Sequence, residues 1–113
     1  MDFLPTLDAP RGRRVLLVED DVELREALTD ALSGSGHDVT AVSDGRAALR
    51  QMRESTPEVV VLDLMMPVMD GWQFRVEQRG DPVLADTPVI VISASHSPAA
   101  TAIDADLYLK KPL

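Results

Sequence analysis

"VVVLDLMMPVMDG", residues 59–71, is the stretch on which the fold turns. With Glu58 ahead of it, "EVVVLD" (58–63) is a short, β-branched-rich apolar run of the kind that forms a buried strand. A proline–glycine loop follows at once, in which Pro67 stiffens the turn and Asp70-Gly71 starts the next helix. The strand ends on a carboxylate, Asp63. A charge at the end of an apolar strand costs free energy unless something compensates it.

Working outward, the pattern alternates. "RVLLV" (14–18) is a second buried strand. Leu24, Ala27, Leu28, Ala31 and Leu32 recur at i, i+3, i+4, i+7 and i+8 and predict an amphipathic helix closed by "SGSG". "HDVTAVS" (37–43) alternates as a half-buried strand does. "GRAALRQMRES" (45–55) predicts a helix with Ala48, Leu49 and Met52 inward. "GWQFRVEQRG" (71–80) predicts another, with Arg75 and Gln78 at inner positions that favour leucine, so irregular packing is expected there. "TPVIVIS" (87–93) and "DLYLK" (106–110) are strands, and "SPAATAID" (97–104) allows a short helix.

Three of these strands are nearly unbroken apolar runs, which implies cover on both faces and hence a parallel sheet. Right-handed crossovers between strand and helix then give a doubly wound, three-layer α/β sandwich. At 113 residues the chain is one domain. Residues 1–12, with two prolines and a glycine and without periodicity, read as a flexible leader, and 13–113 as the folded unit.

Composition narrows the function. The formal charge of −8 argues against direct binding of nucleic acid or an anionic membrane. No run approaches the ~18 apolar residues of a membrane span, and "MDFLPTLDAPRGRR" does not read as a signal peptide. With no cysteine, thiolate metal sites are excluded and a cytoplasmic location is expected.

Open parallel sheets bind their ligands outside the carboxyl ends of the strands. Glu19, Asp20 and Asp21 follow the first strand, Asp63 closes the third, Ser93 the fourth, and Lys110 and Lys111 the fifth. Like charges ~5 Å apart repel by roughly 3 kcal/mol at an effective dielectric near 20, so such carboxylates call for a cation. Oxygen ligands without His or Cys favour Mg²⁺, with Mn²⁺ as the substitute. Carboxylate, divalent metal, the Lys111 ammonium and the Ser93 hydroxyl suit phosphoryl transfer with Asp63 as nucleophile.

Each of these residues also has a plainer reading. Asp63 could cap a nearby backbone N–H, and Ser93 could be an ordinary strand-end hydroxyl. Asp20 and Asp21 compete for the helix cap, Asp20-x-x-Glu23 even fitting a capping box; the cap is assigned to Asp21 and the metal to Asp20. A lone Glu19 is explained equally well by solvation. Tyr108 is as natural as a half-buried edge aromatic, Lys110 as a solvated neighbour, and Trp72 as packing. His37 and His96 are isolated.

"VLLVEDD", "VVVLDLMMPVMDG", "PVIVISAS" and "YLKKP" resemble, in order and in register, the receiver domain of bacterial two-component response regulators. The resemblance implies a flavodoxin-like fold with a five-stranded parallel sheet in the order 2-1-3-4-5. It implies that Asp63 accepts a phosphoryl group from a phosphohistidine on a sensor histidine kinase or phosphotransfer protein. Asp20 would ligate Mg²⁺ directly and Glu19 through water, with the backbone carbonyl of Met65 completing the protein's ligands. Lys111 would pair with the phosphoryl group, and the Lys111–Pro112 bond would be cis. Ser93 and Tyr108 would form the switch that changes the output surface, through which relatives dimerise or contact a downstream effector. The resemblance further implies that the domain would catalyse only its own phosphorylation and dephosphorylation and would not otherwise be an enzyme.

Two departures from the family shape the expectations. The segment between Ser93 and Lys111 is about one helical turn short, so a stunted fourth helix is expected. The usual fifth helix is missing after Leu113, so one sheet face is expected to be partly bare. The competing readings are a receiver-like interaction module that no longer cycles phosphate, and an aspartate-dependent small-molecule phosphatase. The phosphatase would ordinarily need an acid/base carboxylate where Met65 stands. A flavodoxin-type cofactor carrier lacks its Gly/Ser/Thr-rich phosphate cradle.

Overall fold

The computed structural model describes residues 12–63, 71–93 and 107–110, with residues 71, 93 and 107–110 described by their backbone. The elements are β1 (Arg14–Val18), α1 (Val22–Gly34), β2 (Asp38–Val42), α2 (Gly45–Glu54), β3 (Val59–Asp63), α3 (Gly71–Arg79), β4 (Val89–Ser93) and β5 (Leu107–Lys110). The strands form one sheet in the order β2-β1-β3-β4-β5, every pair parallel. This is the doubly wound, flavodoxin-like order that the resemblance implied.

The order dictates which helix covers which face. The chain moves one way from β1 to β2, then reverses past β1 to reach β3. Right-handed crossovers therefore put α1 on one face and α2 and α3 on the other. Burial follows this division. On the α2/α3 face, Leu16 and Val18 of β1, Val60 and Leu62 of β3, and Val89 and Val91 of β4 pack into one cluster. Ala48, Leu49 and Met52 of α2 enter it as their spacing predicts, joined by Phe74 of α3 and by Leu84, with Trp72 packed at its margin. Burying each large side chain there is worth about 1.5–3 kcal/mol over leaving it exposed.

The opposite face is thinner. Val15, Leu17 and Ile92 are buried outside the cluster, whereas Val59, Val61 and Ile90 are half-buried. The amphipathic α1 forms as its spacing predicts, but its apolar stripe is only partly covered. No residue of α1 is buried; Leu24, Leu28 and Leu32 are half-buried, and Ala27 and Ala31 are exposed. Helical periodicity reports amphipathicity, but how deeply a stripe is covered depends on what lies over it.

Arg75 and Gln78 do lie at inner positions, as their spacing implies. Both are buried, at 7 % and 0 % exposure. The Arg75 Nη1 donates to Gln78 Oε1 at 2.7 Å, and Gln78 Nε2 donates to the carbonyls of Leu84 (2.9 Å) and Thr87 (3.1 Å). A polar network stands where an inner stripe favours leucine, and it stitches α3 to the segment that enters β4. Such burial is tolerated because its members satisfy one another.

Asp21 caps α1 as the sequence suggests, and Asp44, which the sequence reading did not single out, caps α2. Asp21 Oδ1 accepts from Leu24 N at 3.1 Å, and Asp44 Oδ1 from Ala47 N at 2.8 Å, the expected use of aspartate at an N-cap. Gly36, in the turn after α1, has φ of 93°, a conformation that favours glycine. Gly12 lies so near Gly36 that a Cβ there would meet the Gly36 carbonyl oxygen. The rest of the leader and the segment expected to hold the stunted fourth helix lie outside the described residues, as does everything after Lys110.

At the amino edge of the sheet, Glu58 Oε1 accepts from Arg14 N at 2.8 Å, and its Oε2 lies 3.6 Å from Arg13 Nη1. The Arg14 N–H bond holds the Glu58 carboxyl below its ordinary range; slight desolvation opposes this and the two arginine charges assist it. Arg14 Nη1 also donates to the Thr56 carbonyl at 2.7 Å, and Arg13 N to His37 Nδ1 at 3.0 Å.

Candidate functional site

Sheet register builds the carboxyl edge. Val18 pairs with Leu62 across β1 and β3, and both point into the cluster. One residue further on, the strand alternation turns Glu19 and Asp63 together to the other side. Glu19 N still donates to the Val42 carbonyl at 3.1 Å, so the β1–β2 ladder carries the chain to that point before releasing it into α1. Asp63 in turn pairs with Ile92 of β4, and Ser93 with Lys110 of β5. Three strand ends therefore bring Asp63 and Ser93 to one edge, beside the end of β5.

The acidic group that results is tight. Glu19, Asp20 and Asp63 each offer a carboxylate oxygen within 4.8 Å of the others. Glu19 is fully buried and Asp63 is 4 % exposed, while Asp20 is the most open of the three. Asp21, next in sequence, is turned away to cap α1, which resolves the competition between the two aspartates in the way the sequence suggests. Its N–H donates to Glu19 Oε2 at 3.1 Å and so fixes the Glu19 side chain from within the turn.

Burial strengthens the repulsion among these carboxylates, because water no longer screens it. The donor set is oxygen throughout, without nitrogen or sulfur. Hard divalent cations such as Mg²⁺ and Mn²⁺ prefer such ligands, so the residues present fit the metal.

Arg25, which the sequence reading passed over, belongs to the surroundings of this site. From the first turns of α1 its Nη1 donates to the carbonyl of Glu19 at 3.0 Å and to that of Asp20 at 3.4 Å. A cation placed four residues after the cap at Asp21 is the signal that could have found it: it lies one helical turn on and can reach back over the acidic turn. Of the other predicted site residues, Ser93 is placed by its backbone at the carboxyl end of β4 and Tyr108 within β5, opposite Val91. Met65 and Lys111 lie outside the described residues. No helix among the described residues is long and apolar enough to cross a membrane.

Comparison with known proteins agrees with this geometry. The response regulator receiver domain family matches residues 15–113. The response regulator MprA of Mycolicibacterium vanbaalenii is 40 % identical over 105 residues, which cover 88 % of this chain and 44 % of that protein. The chain thus spans less than half the length of this relative. Among solved structures, the receiver domain of the sensor histidine kinase PA1611 of Pseudomonas aeruginosa, with a magnesium ion coordinated in its active-site cleft, superposes with a TM-score of 0.81. The two are 28 % identical, over 90 % of this chain and 87 % of that one. The phosphorylated cyanobacterial phytochrome response regulator RcpA gives a TM-score of 0.79 at 28 % identity, over 88 % and 81 % of the two chains. With sheet order, sequence and acidic carboxyl edge in agreement, the chain belongs to the response regulator receiver domain family, the receiving module of two-component signalling.

Proposed function

We propose that the chain is a phosphoacceptor switch in which Asp63 takes a phosphoryl group from a phosphohistidine on a sensor histidine kinase or phosphotransfer protein. The observation that carries this reading is the approach of the Glu19, Asp20 and Asp63 oxygens within 4.8 Å of one another, with Asp63 buried at the end of β3. That PA1611 holds magnesium and that RcpA is phosphorylated support the reading by likeness.

An Asp63 oxygen forms the new bond to phosphorus as the phosphorus–nitrogen bond of the donor breaks, its electron pair returning to the imidazole. Little covalent work is asked of the protein, and positioning does most of it. Bound Mg²⁺ would neutralise both the carboxylates and the phosphoryl oxygens. Glu19, Asp20 and Asp63 would hold it, with the Met65 carbonyl. The β3 ladder fixes the Asp63 backbone, and the Asp21 N–H fixes Glu19. Lys111 would pair with the transferred group, and Ser93 with Tyr108 would relay its arrival to a downstream effector or a second receiver.

Incubation with acetyl phosphate and Mg²⁺ is expected to yield a phosphoryl adduct by intact mass. That adduct should vanish with chelator and in Asp63→Asn. An unmodified parent chain, or an adduct that persists in Asp63→Asn, would overturn the reading and favour an interaction module that does not cycle phosphate.

A further inference from the structure

We infer that Arg25 is a positioning residue for the metal site: it sets the aim of Glu19 and Asp20 by anchoring their main-chain carbonyls. The inference rests on the proposed Mg²⁺-dependent reading of that site.

The acidic turn must leave the sheet, present two carboxylates to Asp63 and enter a helix within three residues. It is held at its start by the bond from Glu19 N to the Val42 carbonyl and at its end by Asp21, whose carbonyl accepts from Arg25 N at 2.8 Å. Between these, the carbonyls of Glu19 and Asp20 accept from one nitrogen of Arg25, at 3.0 and 3.4 Å. Their carbonyl oxygens thus meet the guanidinium, while their side chains meet Asp63. The Arg25 side chain is itself half-buried, so less water competes for these bonds than at an open surface. These bonds go to main-chain carbonyls rather than to carboxylate oxygens.

Charge and positioning predict opposite outcomes. A fixed cation beside the site repels a second cation, so on charge alone its removal should tighten Mg²⁺ binding. As an anchor, its removal should loosen the turn and weaken binding, as loss of an outer partner of a metal ligand does, by roughly tenfold.

The test is calorimetric titration of the full chain with Mg²⁺ alone, for the parent, Arg25→Gln and Arg25→Lys, alongside far-UV circular dichroism in chelator. Arg25→Gln is expected to keep its fold and bind Mg²⁺ roughly tenfold more weakly. Arg25→Lys keeps the charge with a shorter, non-planar head and is expected to fall between it and the parent. Binding by folded Arg25→Gln as tight as the parent's, or tighter, overturns the inference while leaving the site reading intact. Should Arg25→Gln not fold, parent-like affinity in Arg25→Lys overturns it equally. A parent chain that binds no Mg²⁺ overturns the site reading itself, and this inference with it.

Discussion

The two edges of the sheet treat polar groups in opposite ways. At the amino edge, donors and acceptors are matched within the chain: Glu58 with Arg13 and Arg14, Arg14 with Thr56, and Gln78 with Arg75, Leu84 and Thr87. At the carboxyl edge, three carboxylates with two of them buried converge on one point. The first arrangement is complete in itself. The second holds like charges at close range, which favours a cation and raises the free energy of the ion-free state. The difference teaches where to look for function: the amino edge pairs groups of opposite character, the carboxyl edge concentrates charge of one sign, and that excess acid is best understood as a ligand set.

The comparison can be broken most sharply at Gln78. Gln78→Ala removes two bonds to buried carbonyls and the acceptor of the Arg75 Nη1 bond. It should lower stability by about 2–4 kcal/mol, read from denaturant unfolding with or without Mg²⁺. A change under half a unit of that scale would mean that the amino-edge network is not what holds the entry to β4.

Asp20→Asn should act with the opposite sign. Relieving one member of the carboxylate group is expected to raise stability in chelator by on the order of 1 kcal/mol. In excess Mg²⁺ the parent should recover or exceed that value, because ligand binding adds stability to the folded state and the variant binds less of it. Thermal melts in the two buffers decide the matter, and a variant less stable than the parent in chelator would contradict the like-charge account.

The smallest effect is expected at Glu58, which is partly exposed. Its carboxyl titrates below the ordinary value of 4.5 in the folded chain. Its ionised form therefore contributes stability that is present above that value and lost as the pH falls through the lower, folded one. Glu58→Gln keeps an acceptor for Arg14 N and removes the charge, so stability at neutral pH should fall slightly toward the acid value, and the acid limb of the curve should flatten. An acid limb identical to the parent's would remove Glu58 from the amino-edge account.

Much of this molecule was legible before the structure. Short β-branched runs, helical spacing at Ala48, Leu49 and Met52, and the aspartate cap ahead of α1 are local signals, set by a residue's nearest neighbours along the chain. Each appears as the sequence implied. The acidic pair and Asp63 were legible as candidates for the same reason, since each closes a recognisable strand.

Tertiary structure decided the rest. Whether Glu19 and Asp63 face one another depends on the pairing of Val18 with Leu62, and a one-residue slip would turn one of them to the other face. Arg25 became part of the site because the turn brings two carbonyls within reach of its guanidinium. Arg75 and Gln78 read as misplaced polar residues until their partners, up to nine residues away, arrived around them. The stripe of α1, apolar by sequence, stayed half-covered because burial is a property of what packs over a surface. Sequence determined which groups the strands would carry to their ends; register and packing determined which of them meet, because those contacts join residues that local pattern does not relate.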